Sequence, residues 1–271
     1  MYQPLSLITL IQTFDDNKSL IFNLIKRDIV GRYRGSFFGV LWSFFTPLLM
    51  LAVYTFVFSV VFKARWLGGS DSKTEFALVL FSGLIIFNIF AECINKAPTL
   101  IISNSNYVKK VIFPLEILPI VSLGSALFNL GISLIVWLVF YCIFFGIPSI
   151  NILLLPIILS PLLLITLGFS WILASLGVYL RDISQIITPI TTALMFLSPI
   201  FFPLQALPHE YQFIANLNPI TFAVEQSRDI MIWNKSIDWI TWSIFFVTSI
   251  CINWLGFVWF QKTRAGFADV L

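Results

Sequence analysis

The chain has 271 residues, of which 59% are hydrophobic and 11% charged, and its formal net charge is +3. A soluble domain averages about 45–50% apolar and about 25% charged residues. The composition therefore excludes a water-facing globular surface and reads as an all-α integral membrane protein, with no excess of positive charge that would argue for a nucleic-acid partner.

Residues 1–16 are weakly patterned. They lack a basic start and a small-residue cleavage site and carry Asp15 and Asp16, so no cleavable signal is expected there. From Asn17 onward Ile21, Ile25 and Ile29 recur at i+4 with Phe22 and Leu24 beside them, while Lys18, Asn23, Lys26, Arg27 and Arg34 fall on other faces. That spacing predicts an amphipathic interface helix with a basic side, suited to the headgroup layer. Gly31 and Gly35 would let the chain turn upward, so residues 1–36 read as an N-terminal segment.

A helix needs about 20 apolar residues to cross a hydrocarbon core of about 30 Å. Six segments qualify and make a transmembrane domain over 37–260: Phe37–Phe62, Phe76–Asn95, Ile120–Phe145, Ile152–Leu180, Ile186–Phe202 and Trp239–Phe260. An even number places both termini on one side. That side holds the dense cluster Lys26, Arg27, Arg32 and Arg34, together with Lys96, Lys109, Lys110, Arg181, Lys262 and Arg264, and is expected to be cytoplasmic. Pro47, Pro156, Pro161, Pro189 and Pro199 fall inside these segments and predict kinks.

The connections carry less chemistry than the spans. Gly68 to Thr74 superficially resembles a phosphate-cradling loop, but Ser72 stands where the motif needs a glycine directly before the lysine. It reads as a polar turn. Glu92, near the end of the second segment, is expected at a membrane boundary or facing the protein interior, because an ionised side chain at mid-bilayer costs about 2.5–3.5 kcal/mol. The inward loop Lys96–Pro119 predicts a short helix over Tyr107–Val111 that ends before Pro114, either a handle for a soluble partner or a plain solvated connection. The stretch Pro203–Asp238 is too polar to cross and too apolar for a free loop. Pro208 and Pro219 each open a helical run, His209–Leu217 and Ile220–Trp233, which predicts short re-entrant outer helices. Residues 261–271 form a tail. Cys93, Cys142 and Cys251 have no metal-ligand spacing, and Glu92, Glu116 and Asp182 are scattered, so neither a metal site nor a catalytic constellation is expected.

One resemblance spans nearly the whole chain. Arg27-Asp28-Ile29, Arg32-Tyr33-Arg34-Gly35-Ser36, Leu41-Trp42 and Pro47-Leu48 resemble the opening of type-2 ATP-binding-cassette export permeases, above all those exporting O-antigen, capsule and teichoic acid. Tyr107 to Lys110, Phe113 to Glu116, Arg181-Asp182, Asn218-Pro219 with Glu225 and Arg228, and Gly266 to Asp269 also match in order and spacing. The resemblance implies a homodimer of six-span subunits around a conduit for lipid-linked polysaccharide in a bacterial inner membrane. Two copies of a separate cytoplasmic ATPase would bind ATP and Mg, leaving this chain without a cofactor or a catalytic residue of its own. It implies ATPase contacts at Lys26, Arg27, Asp28, Arg32, Arg34, Asn106, Tyr107, Lys109 and Lys110. Outer-gate helices would lie over about 204–235 with Asn218, Pro219, Glu225 and Arg228, and Trp42, Phe45, Tyr54 and Phe87 are candidate conduit aromatics. Alternatives are an exporter of small lipophilic compounds from the same superfamily, or a membrane-embedded enzyme acting on polyprenyl-phosphate sugars. The scattered acids count against the enzyme, and the lack of paired intramembrane charges counts against an ion-coupled carrier.

Overall fold

A computed structural model describes residues 7–57, 66, 73–109 and 113–271. Among these there is no strand. The helices follow in order: α1 (Leu7–Asp16), α2 (Lys18–Arg32), α3 (Trp42–Tyr54), α4 (Lys73–Leu100), α5 (Ser105–Val108), α6 (Ile117–Phe145), α7 (Leu155–Tyr179), α8 (Ile183–Leu197), α9 (His209–Leu217), α10 (Pro219–Met231), α11 (Trp239–Thr263) and α12 (Phe267–Val270).

Five stretches are long and apolar enough to cross a membrane: Gly39–Val57, Thr74–Leu100, Ile117–Phe145, Ile150–Tyr179 and Trp239–Val270. They coincide with five of the six segments expected from the sequence. The remaining one, 186–202, is the shorter helix α8, whose 15 residues reach only about 22 Å at 1.5 Å per residue. Ser198 ends it with extended backbone (φ −89°, ψ 149°), the conformation a residue before proline prefers, and Pro199 follows. Conversely, α4 runs through Pro98 to Leu100, past the expected end at Asn95. The end of the first expected span, 58–62, and the polar turn over 68–72 lie outside the described residues. Helix α1 has no counterpart in the sequence reading.

Helix α4 is the axis of the bundle. It contacts α3, α6, α7, α8 and α10, and Val79, Leu80, Ile86 and Ile89 along it are almost wholly buried. Trp137 of α6 is buried beside it and donates from its indole nitrogen to the Leu78 carbonyl at 3.1 Å. Helices α7 and α11 cross at backbone contact. A Cβ on Gly256 would lie 2.2 Å from the Gly168 carbonyl oxygen, so only glycine fits this crossing. Asn253 fastens it by donating to the Leu164 carbonyl at 3.0 Å. By contrast, α3 and the outer faces of α6 and α11 leave Phe44, Leu49, Ile143, Ile240 and Val247 exposed. Lipid or a partner must cover such surface.

Both terminal segments pack at one end of the bundle. Ile21 and Leu24 of α2 bury against Ile117 and Val121 at the start of α6. Phe267 of α12 buries among Leu100, Leu115, Trp171, Val178 and Phe260, where α4, α7 and α11 finish. The contact stripe of α2 is narrower than its periodicity suggested, because Phe22 remains exposed. At the distal end the stretch after α8 forms α9 and α10, close to the two expected helical runs. Asn218 caps α10 by accepting from the Ile220 amide at 3.0 Å, and Pro219 takes the first helical position, where its missing N–H costs nothing.

Candidate functional site

Helices α2 and α4 meet through two reciprocal ion pairs. Asp28 and Arg32 are one helical turn apart on α2, and Glu92 and Lys96 are one turn apart on α4. The signs run oppositely along the two contact lines. Lys96 Nζ sits 2.7 Å from both Asp28 carboxylate oxygens, and Arg32 donates to Glu92. Asn129 of α6 donates to the second Glu92 oxygen at 2.8 Å. Burial acts to raise the Asp28 carboxyl, but its hydrogen bonds to Lys96 and Ser125 and the charges of Lys96 and Arg32 outweigh it and hold it below the usual carboxylate range. Burial likewise opposes the charge on Arg32, and the Glu92 partner more than restores it. Glu92 thus faces the protein interior about two turns before the end of α4 and is paired, as the cost of an isolated intramembrane carboxylate requires.

Arg32 and Glu92 stand at the mouth of a cavity of about 410 Å³ between α3, α4, α6 and α8. Its wall is polar for a membrane protein: Ser43, Thr46, Asn88, Asn95, Asn129 and Ser133 line it, with Met50, Tyr54 and Phe81 between them. Asn95 is oriented by Thr191 of α8, whose hydroxyl donates to its Oδ1 at 2.9 Å. The wall offers amide and hydroxyl groups, and its charged groups among the described residues are one acid, Glu92, and one base, Arg32, which neutralise each other. It suits hydrogen-bonding, uncharged cargo rather than an ion.

The other expected contact residues gather beside this mouth. Tyr107 of α5 stacks on Phe113 with ring centres 4.2 Å apart, and the Arg27 guanidinium lies 5.7 Å over the Tyr107 ring. Two segments 80 positions apart therefore form one surface, on which Lys26, Arg34, Asn106 and Lys109 are exposed. The short helix is Ser105–Val108, starting and stopping earlier than the expected Tyr107–Val111. Lys110 lies outside the described residues. Asp28 and Arg32 differ from the rest of this set in being tied inward to α4. Behind the surface, Glu116 is buried, accepts from Arg264 at 2.8 Å, and through its backbone carbonyl from Trp171 at 3.0 Å. The tail is thus joined to the α5–α6 connection.

The distal residues are built differently. Arg228 of α10 is 1% exposed. It donates to the carbonyls of Val79 (3.1 Å), Ile200 (2.7 Å) and Pro199, and to Glu225 at 3.1 Å. Trp66 covers the guanidinium at 4.4 Å. Gly83 makes room for it, since a Cβ there would lie 2.5 Å from Arg228 Nη2. Burial pulls the Arg228 guanidinium down to about 10, so it stays charged at neutral pH, and pushes the Glu225 carboxyl up. Of the candidate aromatics, Tyr54 lines the cavity. Trp42 and Phe45 pack edge to face on the exposed side of α3, and Phe87 is buried in the core.

The sequence reading did not single out Lys96, Asn88, Asn95, Asn129 or Ser133 as site residues, nor the contact between Trp66 and Arg228. For the ion pairs a signal existed: Asp28 and Arg32 are opposite charges at i+4 on a predicted helix, and Glu92 and Lys96 have the same spacing, although Lys96 falls one residue past the expected end of its segment. The asparagines of separate helices carry no such signal, because only packing brings them to one wall.

These features define a helical membrane protein with a polar-lined internal cavity and no reactive constellation among its described residues. The chain belongs to the ABC-2 type transporter family, whose model matches residues 19–232, and it is a permease subunit; in this family nucleotide is bound on a separate ATPase subunit. The chain is 26% identical to the O-antigen export system permease protein RfbA of Myxococcus xanthus, over 97% of this chain and 99% of that protein. It is 25% identical to the RfbA of Klebsiella pneumoniae, over 94% and 97% of the two chains. It is 24% identical to the polysialic acid transport protein KpsM of Escherichia coli, over 80% and 82%.

Proposed function

We propose that this chain is the membrane subunit of an ATP-driven exporter that moves lipid-linked polysaccharide out of the cytoplasm across the bacterial inner membrane. The observation that carries the reading is the cavity between α3, α4, α6 and α8, walled by Asn88, Asn129, Ser133 and Thr46. Amide and hydroxyl groups exchange hydrogen bonds readily with sugar hydroxyls, and rings such as Tyr54 offer an apolar face without fixing orientation. A path of that kind holds a polymer weakly enough to let it slide. Near end-to-end similarity to permeases named for O-antigen export supports the same cargo class.

In this reading the protein works as a homodimer whose second copy completes the conduit along the exposed side of α3. Helix α8, continued through Ile200 to Phe202, counts as a sixth crossing, which places both termini in the cytoplasm with the Lys- and Arg-rich end. The surface made by α2 and α5, with Arg27, Asn106, Tyr107 and Lys109, docks the companion ATPase. Helices α9 and α10 form the outer gate.

Deleting the gene and analysing the surface glycans tests the reading. Loss of surface polymer, with lipid-linked polymer accumulating inside, is the expected result. Normal surface polymer with altered sensitivity to lipophilic compounds would instead support the small-compound exporter.

A further inference from the structure

The α5 surface is fastened to the rest of the bundle at Glu116, which caps the start of α6 and is 1% exposed. Arg264, just past the end of α11, is the one partner of its carboxylate among the described residues: Oε2 accepts at 2.8 Å, and Oε1 has no partner. The same Arg264 nitrogen donates to Gln261 of α11 at 3.1 Å. The backbone carbonyl of Glu116 holds the Trp171 indole of α7 at 3.0 Å. Glu116 therefore ties the start of α6 to both α7 and α11. Beside it Tyr107, Val108 and Phe113 rest against the cluster in which Phe267 of the tail is buried.

We propose that Glu116 and Arg264 are positioning residues that carry a displacement of the α5 surface into the α7–α11 pair, a second route beside the chain's own continuation into α6. The proposal rests on the reading of the α2–α5 surface as the ATPase dock, and it adds the residues that pass the motion on. Coupling across a protein travels through packed side chains, ion pairs and rigid elements, and all three are present. Helix α11 is an unbroken rod of 25 residues, about 38 Å long at 1.5 Å per residue. It packs chiefly against α7 and, among the described residues, shares no extended contact with α6. The two helices touch backbone to backbone at Gly256 and Gly168, so neither slides past the other without a clash. At the inner end Tyr179 donates to the Thr263 carbonyl at 2.7 Å, and the Ser175 and Thr263 hydroxyls meet at 2.7 Å. A push on α6 alone would reach α11 only through α7, whereas Glu116 reaches it directly. Separating the pair would strand a buried carboxylate that has no other partner, which keeps the joint closed as the α5 surface moves.

The chain carries its own reporters for a test. Cys142 on α6 and Cys251 on α11 are exposed, and Cys93 is buried. The permease, assembled with its companion ATPase in phosphatidylcholine nanodiscs, is labelled with an environment-sensitive fluorophore at Cys251 in a Cys142→Ser background, or at Cys142 in a Cys251→Ser background. Trapping the ATPase with ATP, Mg and orthovanadate should change both signals. Arg264→Gln should cut the Cys251 response several-fold and leave the Cys142 response within about twofold, because α6 stays chained to the α5 surface while α11 loses its tie. Arg264→Lys should restore part of the Cys251 response, since a point charge still pairs with Glu116. A merely structural role would lower both signals together. If Arg264→Gln fails to assemble, the double variant Glu116→Gln with Arg264→Gln, which strands no charge, decides by the same split. An undiminished Cys251 response in the variant that decides, a joint loss of both signals, loss of the bound ATPase, or a wild type whose Cys251 signal never changes would each overturn the proposal. The probes need no cargo, and the deletion strain's glycans need no probes, so the relay and the export reading can fail separately. Docking is checked independently by co-purification of the ATPase.

Discussion

The two ends of the bundle hold their charges in opposite ways. At the distal end Arg228 is sealed from water, and its donors go to three backbone carbonyls and one carboxylate. Backbone carbonyls cannot leave, so the guanidinium rivets α10 to α4 and to the end of α8. At the other end Asp28, Arg32, Glu92 and Lys96 pair side chain to side chain with roughly a quarter to a third of each exposed. Those partners can separate and be replaced by water or a ligand at small cost. The lesson is that charge in a membrane bundle can serve as a fixed joint or as an exchangeable contact, and burial and partner type decide which.

The comparison can be broken most sharply at the rivet. Arg228→Leu should destabilise the purified protein by about 3–5 kcal/mol, because it strands Glu225 and the carbonyls of Val79, Pro199 and Ile200. The thermal unfolding midpoint in detergent measures this, and a shift too small to resolve would show that the distal charge is as exchangeable as the others. Gly256→Ala should follow at about 1–3 kcal/mol by the same measurement, since its Cβ would have to displace the Gly168 backbone.

At the exchangeable end the expected effects on stability are smaller. Lys96→Gln and Asp28→Asn should each cost about 0–1 kcal/mol, the usual range for partly exposed pairs. The Asp28 carboxyl is held low by Lys96, so its folded value lies beneath its unfolded one. Its contribution is therefore complete above the ordinary carboxylate range and disappears as pH falls through the lower, folded value. The difference in unfolding midpoint between wild type and Asp28→Asn should be constant near neutrality and close only in strong acid. Persistence of the difference at the acid end would contradict the ion pair. Lys109→Glu should leave the midpoint unchanged while lowering co-purification of the companion ATPase. Full recovery of the ATPase with this variant would remove Lys109 from the docking surface.

Much of the architecture could be read from the chain because membrane burial writes itself into composition. Runs of about 20 apolar residues have no other economical use, and five of them became long helices. Helix α9 has the expected bounds and α10 nearly so, because Pro208 and Pro219 mark their starts through local backbone restriction. Short-range signals were weaker where packing competes with them. The expected end of the second segment is Asn95, yet α4 runs through Pro98 to Leu100, and the stripe of α2 that buries is set by which residues meet Ile117 and Val121 rather than by its own periodicity.

The sequence by itself determined that this protein lives in a membrane, that it is helical, and that its basic groups crowd toward one end, since each of these depends on residue type and near-neighbour spacing. Tertiary structure alone decided that Arg27 would meet Tyr107, that Asn88, Asn129 and Ser133 would share a wall, and that Arg228 would be sealed beneath Trp66. Those contacts join residues tens to more than a hundred positions apart. Nothing local to either partner encodes their meeting, which depends on how the helices rotate and cross when they pack.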